Sequence, residues 1–539
     1  MKLYRLILVV IAGAAISASC SKMDNVAPQS GTMLASQVQE TNVIAPSRAA
    51  AAFAGMFTNI GKPAKMYSNP DDWEFLMINF CNDLEGADAL IADSNYNWFS
   101  VCGELSSRDP SYRNPYIRYR APYNMIADIN TFIAGFPEDE TEWSEDILNM
   151  VAQARALRAY SYMLLIPNYQ FGYSVAADQP CVPICSPDIE DFTNNPRASV
   201  RDLLGIVMDD LDYAVTNLAG ATRSSKAYID ESVARAIRAR VKLYMEDWQG
   251  ALTDATAAAQ GYAPKTIADL SRPTFYSIDE EDWIWGYDMT ADVAKNYLYA
   301  TTSSWLRSFS GWGYAPACQT TTCINTLLWD KIPESDVRKG WWIDENLKSP
   351  LIDDLTWPGC DGDLAHASDG GDAKLPFLPY TNVKFGCTTV GTTTNEEDMP
   401  LIRVEEMYLI QFECMQRLGQ DGVGAMEKFI REYRDPEYKW DGKGLAPLDE
   451  IWFQRRVELW GEGFFTFDQK RLNKPIVRFH DETNNISPAF RFNLAADDPW
   501  LLLRFPQGEM NTNFAIIDNT GGHQPKTDEG KTLRDGVTD

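Results

Sequence analysis

Residues 144–167 read SEDILNMVAQARALRAYSYMLLIP. Within them Ala152, Ala156, Ala159 and Met163 recur at spacings of four, three and four, with Leu157, Tyr160 and Leu164 alongside. That is the period of one helix face. Ser144 is placed to cap the first turn, and Glu145 and Asp146 suit the positive end of the helix macrodipole. Pro167 is expected to stop the helix, since it has no N–H to give and its ring crowds the preceding turn. A face so rich in alanine lets a neighbouring helix come close, as in stacked helical hairpins.

The same pattern recurs along the chain. Asp230 is placed to cap a helix with Val233, Ile237, Val241 and Tyr244 on one face, and the continuation EDWQGALTDATAAAQ (246–260) turns at Gly250 into another. Val404, Tyr408, Met415 and Leu418 mark a further helix ended by Gly419, and its partner carries Met426, Phe429, Ile430 and Tyr433. Helix-turn-helix pairs with small residues on the packing face resemble tetratricopeptide repeats, although a generic helical bundle fits these periods as well. The predicted fold class is mainly α: a tetratricopeptide-like hairpin scaffold joined to an irregular, loop-rich half with short strands. About 490 residues follow Pro46, more than one core normally covers, so two intertwined lobes are expected.

Helical periodicity fades between about 262 and 400, where Gly, Pro, Thr and aromatic residues rise: DWIWGYD (282–288), RKGWW (338–342) and LTWPGCDGDLAHASDGGD (355–372). A loop region this long in a compact chain is usually functional. The stretch SWLRSFSGWGYAP (304–316) holds Trp305, Phe309, Trp312 and Tyr314 with no clean helical or strand period. Trp283 and Trp285 alternate as in a strand and are expected in the core, as are Trp341 and Trp342.

The N-terminus reads MKLYRLILVVIAGAAISASC. Lys2 and Arg5 head an apolar run of about eleven residues, the length of a signal-peptide core and short of the roughly 20 needed to span a bilayer. Ser17-Ala18-Ser19 before Cys20 is similar to a bacterial lipobox, with Ser17 where leucine is usual; a plain secretory cut near Cys20 is the alternative. Residues 1–19 carry two positive charges and no acids, so their removal takes the net charge from −28 to −30. Such a body is repelled by nucleic acid and anionic lipid. Membrane attachment then falls to acyl chains on Cys20, at about 0.8 kcal/mol per buried CH2. Residues 21 to about 46 are polar, small and aperiodic, and read as a flexible tether. Of the nine cysteines besides Cys20, Cys181 with Cys185 and Cys318 with Cys323 are close enough in sequence to suggest disulfides, while Cys414 reads as a buried thiol.

Five blocks resemble the RagB/SusD family: QARALRAYSYMLLIPNYQFG (153–172), SGWGYAPACQTTTCINTLLWDKIPESDVRKGWW (310–342), DMPLIRVEEMYLIQFECMQRLG (398–419), IWFQRRVELWGEGFFTFDQKRLNKPIVR (451–478) and PWLLLRFPQGEMNTNF (499–514). They occur in family order over most of the mature chain; Gln454 departs from the glutamate that many members carry before the arginine pair. The resemblance implies a surface lipoprotein of the Bacteroidetes outer membrane that is not an enzyme. It implies helices as scaffold, binding loops on the irregular half, and a SusC-like TonB-dependent transporter as partner. Its implied role is glycan capture for import, with peptide capture of the RagB kind as the alternative. The layout is then a signal peptide at 1–19, a lipidated tether at 20–46, an N-terminal helical region at 47–261 and a C-terminal region at 262–539.

Sugar rings present C–H groups on one face and hydroxyls at the rim, so they call for flat aromatic faces with amides and carboxylates alongside. DSNYNWF (93–99) offers Tyr96, Asn97 and Trp98, and SGWGY (310–314) offers Trp312 and Tyr314; these five are the candidate ligand contacts. Enzyme chemistry is poorly represented. The only histidines are His366, His480 and His523, with no HExxH spacing, and neither a GxSxG elbow nor a P-loop is present. Seventy-six acids make a glycoside-hydrolase carboxylate pair unreadable from sequence. No cofactor is expected. Asp361, Asp363, Asp369 and Asp372 could hold a structural calcium, but they lack the twelve-residue EF-hand pattern and its closing glutamate, which favours a solvated loop.

Overall fold

The computed structural model describes residues 33–91, 97–106, 108–295, 297–308, 313–317, 320–352, 356–357, 360–361, 378–388, 394–442, 444–480 and 484–539. The chain is mainly helical. Its principal helices are α1 (Ala35–Ile44), α2 (Ser47–Thr58), α3 (Glu74–Leu84), α4 (Arg113–Ala134), α5 (Glu145–Tyr169), α6 (Val200–Asn217), α7 (Glu231–Tyr244), α8 (Trp248–Ala258), the short α9 (Thr302–Leu306), α10 (Val404–Arg417), α11 (Gly422–Tyr433), α12 (Pro447–Glu458) and α13 (Phe465–Leu472). The strands are short and form antiparallel pairs: β1 (Ala89–Ile91), β2 (Pro180–Pro183), β3 (Arg197–Ser199), β4 (Trp283–Tyr287), β5 (Thr322–Ile324), β6 (Thr356–Trp357), β7 (Cys360–Asp361) and β8 (Met399–Arg403), paired β1–β5, β2–β3, β4–β8 and β6–β7.

Helices α4 to α8 pack in sequence order, each against the next; α10 extends the row by docking on α8, and α11 packs on α10. Ser144 caps α5, its Oγ accepting from Ile147 N at 3.4 Å, and Asp230 caps α7 through Val233 N at 3.0 Å. Ala152, Ala156, Ala159 and Met163 are all buried, as are Leu157, Tyr160 and Leu164. Helix α5 is therefore enclosed on nearly all sides along most of its length. Gly250 lies inside the first turn of α8, where its N–H is capped by Asp247 at 3.0 Å; the turn itself precedes it.

Several expectations are corrected. Helix α5 runs through Pro167 to Tyr169. The missing N–H falls in the last turn, where few bonds remain to lose, and Asn168 Nδ2 donates back to Leu164 O at 2.8 Å. The segment read as a tether becomes helical at Ala35, and α1 is fixed to the end of α4 by Gln39 Nε2 to Ala134 O (3.1 Å) and Asn42 Nδ2 to Gly135 O (2.9 Å). Leu418 is exposed, because α10 buries Met407, Ile410 and Cys414 on one side and sets Tyr408 against Phe429 of α11 on another. Cys181 and Cys185 are free thiols, as is Cys323; Cys318 lies outside the described residues. Four residues of extended chain separate two Cα atoms by about 13 Å, beyond the roughly 7 Å a disulfide can bridge. The two expected lobes share one core, which runs from Ala49 to Val537 with two smaller clusters beside it.

Although 140 residues separate them in sequence, α8 and β8 bracket one excursion, since α10 follows β8 directly and docks on α8. The β4–β8 ladder closes the base of that excursion. All five residues of each strand are buried, Trp283 and Trp285 among them, as expected. An ion network reinforces the closure. Arg403 at the end of β8 meets Glu458 (3.1 Å), Glu462 (2.8 Å) and Glu405 (3.0 Å), and Glu458 also holds Arg434 (2.7 Å) and Arg338 (3.3 Å). Lys384, from the excursion itself, binds Glu462 at 2.7 Å and the carbonyls of Glu458 and Trp460. The irregular half is thus clamped to the helical row, and its loops project from a fixed base.

Candidate functional site

Thr301 caps the short helix α9 by accepting from Ser304 N at 3.2 Å, and this sets the direction of Trp305. The indole is fully buried, with Nε1–H donating to Pro70 O at 2.9 Å. Its edge meets Phe99 at 4.7 Å and 80°, and Phe99 in turn meets Phe80 of α3 at 4.9 Å and 89°. On its other side the indole stacks on the half-buried Tyr314 at 4.4 Å and 7°. Tyr314 meets Tyr299 edge-on at 5.9 Å and 80°, and Tyr297 follows at 6.2 Å. Tyr299 is 36% exposed. The rings thus form a ladder from the core outward, rigid at its buried end and open to solvent at Tyr314 and Tyr299.

Gly313 makes the stack possible. Its φ of +153° is one that side-chain-bearing residues rarely adopt, and a Cβ there would lie 2.8 Å from Ser304 Cα. With no Cβ, the chain passes close over α9, and Tyr314 N donates to Ser304 Oγ at 3.1 Å. Beneath this segment Thr302 Oγ1, Ser303 Oγ, Ser308 Oγ and Thr320 Oγ1 are buried without hydrogen-bond partners.

A second stretch reaches the ladder through Phe99. The neighbouring Trp98 is half-buried, with the Arg113 guanidinium 5.0 Å over its ring. Arg113 is itself held by Asp71, at 2.9 Å from Nη2 and 3.2 Å from Nε, one residue from the Pro70 carbonyl that binds Trp305. Asn97 is buried, and its Oδ1 accepts from Phe99 N at 2.9 Å, so its amide shapes the turn that orients Trp98. Among the described residues Trp98 is thus linked to Tyr314 only through its chain neighbour Phe99 and Trp305. Tyr96 and Trp312 lie outside the described residues, as do Cys20, Asp363, Asp369 and Asp372; Asp361 is described only as backbone of β7. Sequence reasoning passed over Tyr299, Asp71 and Arg113. The alternation NYLYA (296–300) before the capping Thr301 was the available signal for Tyr299.

The floor behind Trp98 is electrostatically unusual. Burial raises Asp71 despite the opposing Arg113 guanidinium. Asp72 is pushed up to about 6 by burial, although its Oδ2 accepts from Met66 N (2.7 Å) and Tyr67 N. Glu74 is pushed up to about 8 by burial; neither of its carboxylate oxygens has a hydrogen-bond partner, and Lys65 Nζ stands 3.9 Å away. Among the described residues no group of three or more His, Cys, Asp or Glu side chains is arranged to hold a metal ion. No described helix is long and apolar enough to cross a membrane.

No protein-family model and no curated protein sequence matches this chain. Solved structures do. A SusD-like carbohydrate binding protein from Bacteroides vulgatus matches with a TM-score of 0.69 at 21% identity, covering 88% of this chain and 98% of that one. A surface glycan-binding protein A from Bacteroides thetaiotaomicron, in complex with laminarihexaose, matches at 0.65 and 13% identity over 88% and 99%. A laminarin binding SusD-like protein matches at 0.61 and 16% identity over 88% and 99%. The chain has the SusD-like fold, as the sequence blocks implied.

Proposed function

We propose that this protein is a cell-surface glycan-binding protein that captures an oligosaccharide and passes it to a SusC-like TonB-dependent transporter. The observation that carries this reading is the ring ladder, in which a buried Trp305 fixes a half-buried Tyr314 and an exposed Tyr299 on a loop clamped to a rigid base. Stacked aromatic rings present wide contact area at small entropic cost, which suits the C–H face of a pyranose. Trp98, oriented by the Asn97 turn and backed by Arg113, supplies a second ring, and Tyr96 and Trp312 complete the proposed contacts. Capture without turnover is the proposed chemistry. The neighbours of the same fold bind laminarin and laminarihexaose, which supports the ligand class. Cys20 carries the acyl anchor, and a −30 body needs it because charge gives no hold on an anionic surface.

A glycan array on the soluble chain from residue 21, followed by titration of the best ligand into wild type and Tyr314→Ala, tests the reading. Binding of an oligosaccharide that Tyr314→Ala loses supports it. Binding of peptides alone, or release of a cleaved sugar, overturns it.

A further inference from the structure

On the helical half lies a cleft of about 960 Å³ between the start of α2, the first turns of α5 and the 217–224 turn. We infer that this cleft is a second oligosaccharide site, taking neutral or amino-bearing sugars; the inference rests on the glycan reading above. Its floor holds Tyr228, whose ring stacks on Phe53 at 5.7 Å and 8° and meets the edge of Phe57 at 5.0 Å and 64°. Two contacts fix the ring, yet the residue is only half-buried, so it is an aromatic surface pre-set before any ligand arrives.

The polar groups around it select the ligand's charge. Among the described residues Arg223 is the one cation lining the cleft, and four of its five N–H donors are taken: Nε by Asp230 at 2.9 Å, one on Nη1 by Tyr228 O at 2.8 Å, and both on Nη2 by Tyr262 Oη at 2.8 Å and Ile284 O at 2.7 Å. Glu145 and Asp146 stand on the rim. A phosphate, a uronate or an acidic peptide therefore meets only a cation already paired with Asp230. The neutral groups are of the kind a polyol needs. Asn149 Oδ1 accepts from Gln153 Nε2 at 2.5 Å, which leaves its Nδ2 donors to face the cleft; Asn217 Nδ2 donates to Tyr213 O at 2.9 Å, which leaves its Oδ1 as acceptor. The hydroxyls of Ser47, Thr222 and Ser224 add rotating donors and acceptors to the same lining. Small residues, Ala50, Ala54, Gly220 and Ala221, leave the volume open.

Hydrogen exchange on the full chain, with laminarihexaose, maltohexaose and chitohexaose each at millimolar concentration, tests the site. At least one sugar is expected to protect segments 46–54, 145–153 and 217–228. Ala50→Trp, an exposed position whose new ring would fill the cleft, should abolish that protection while leaving protection around Tyr314 unchanged. The pair Asn149→Ala and Asn217→Ala should weaken it at least tenfold without filling anything, which covers the case of Ala50→Trp folding poorly. Tyr314→Ala should leave it intact. Protection confined to the Tyr314 and Trp98 segments overturns this inference alone and leaves the glycan reading standing. Protection of the cleft by hexalysine and by none of the sugars overturns it in favour of a basic peptide. If none of the sugars protects any segment of the chain, this inference falls, and the glycan array decides the reading on which it rests.

Discussion

The indole of Trp305 and the phenol ring of Tyr314 lie face to face, 4.4 Å apart and 7° from parallel, one fully buried and the other half-exposed. Nine residues apart in the sequence, they have different duties. Trp305→Ala removes a core ring and its bond to Pro70, and should cost about 3–5 kcal/mol of stability. Tyr314→Ala should cost under about 1 kcal/mol of stability and weaken oligosaccharide binding by on the order of 2 kcal/mol. Thermal melts beside calorimetric titration separate the two. A Tyr314→Ala variant that melts as low as Trp305→Ala would make both rings core.

Trp98→Ala is expected to behave like Tyr314→Ala, with a slightly larger stability loss. Its ring carries the Arg113 contact at 5.0 Å, and such contacts are worth about 0.5–1 kcal/mol at partly exposed sites. Trp283→Ala, in the fully buried β4, should instead lower the melting temperature strongly. Melting curves of the two variants, run side by side, decide the ranking.

Glu458 holds Arg338, Arg403 and Arg434 together under the irregular half. Burial alone would raise its carboxyl, but Arg434 and Arg403 outweigh that and hold it well below the usual range. Glu458→Ala leaves three buried guanidiniums short of a partner and should destabilise by about 3–5 kcal/mol. Urea unfolding measures it. Because the cluster clamps the loop base, the same variant should show faster proteolysis within 262–400 than at the helical row.

Glu74 gives a pH dependence of defined sign. With its carboxyl pushed up to about 8 in the folded chain against an ordinary 4.5, it stays protonated where the unfolded chain is ionised. Its stabilising contribution is full below pH 4.5 and is lost as pH rises toward about 8. Glu74→Gln should flatten that decline and raise stability at pH 8 by on the order of 1 kcal/mol relative to wild type. Urea midpoints from pH 4.5 to 8.5 supply the comparison; parallel curves for the two proteins would remove Glu74 as the source.

Periodicity alone marked five helices of the row, α5, α7, α8, α10 and α11, and passed over α4 and α6. Spacings of three and four, with caps at Ser144 and Asp230, place α5 and α7 correctly because those signals are local: a helix face and an N-cap are built from residues a few positions apart. The alternation of Trp283 and Trp285 likewise marks a buried strand. Tertiary contact decided the rest. Whether Pro167 ends a helix depends on how near the end already is, and whether residues 35–44 form one depends on α4 accepting Gln39 and Asn42. In SWLRSFSGWGYAP, Trp305 and Tyr314 read alike, since composition carries no burial. Their fates part because α9 drives Trp305 into Phe99 and Pro70, and Gly313 lays Tyr314 across its outer face. Long-range packing sets which ring is enclosed in the core and which stays half-exposed beside it.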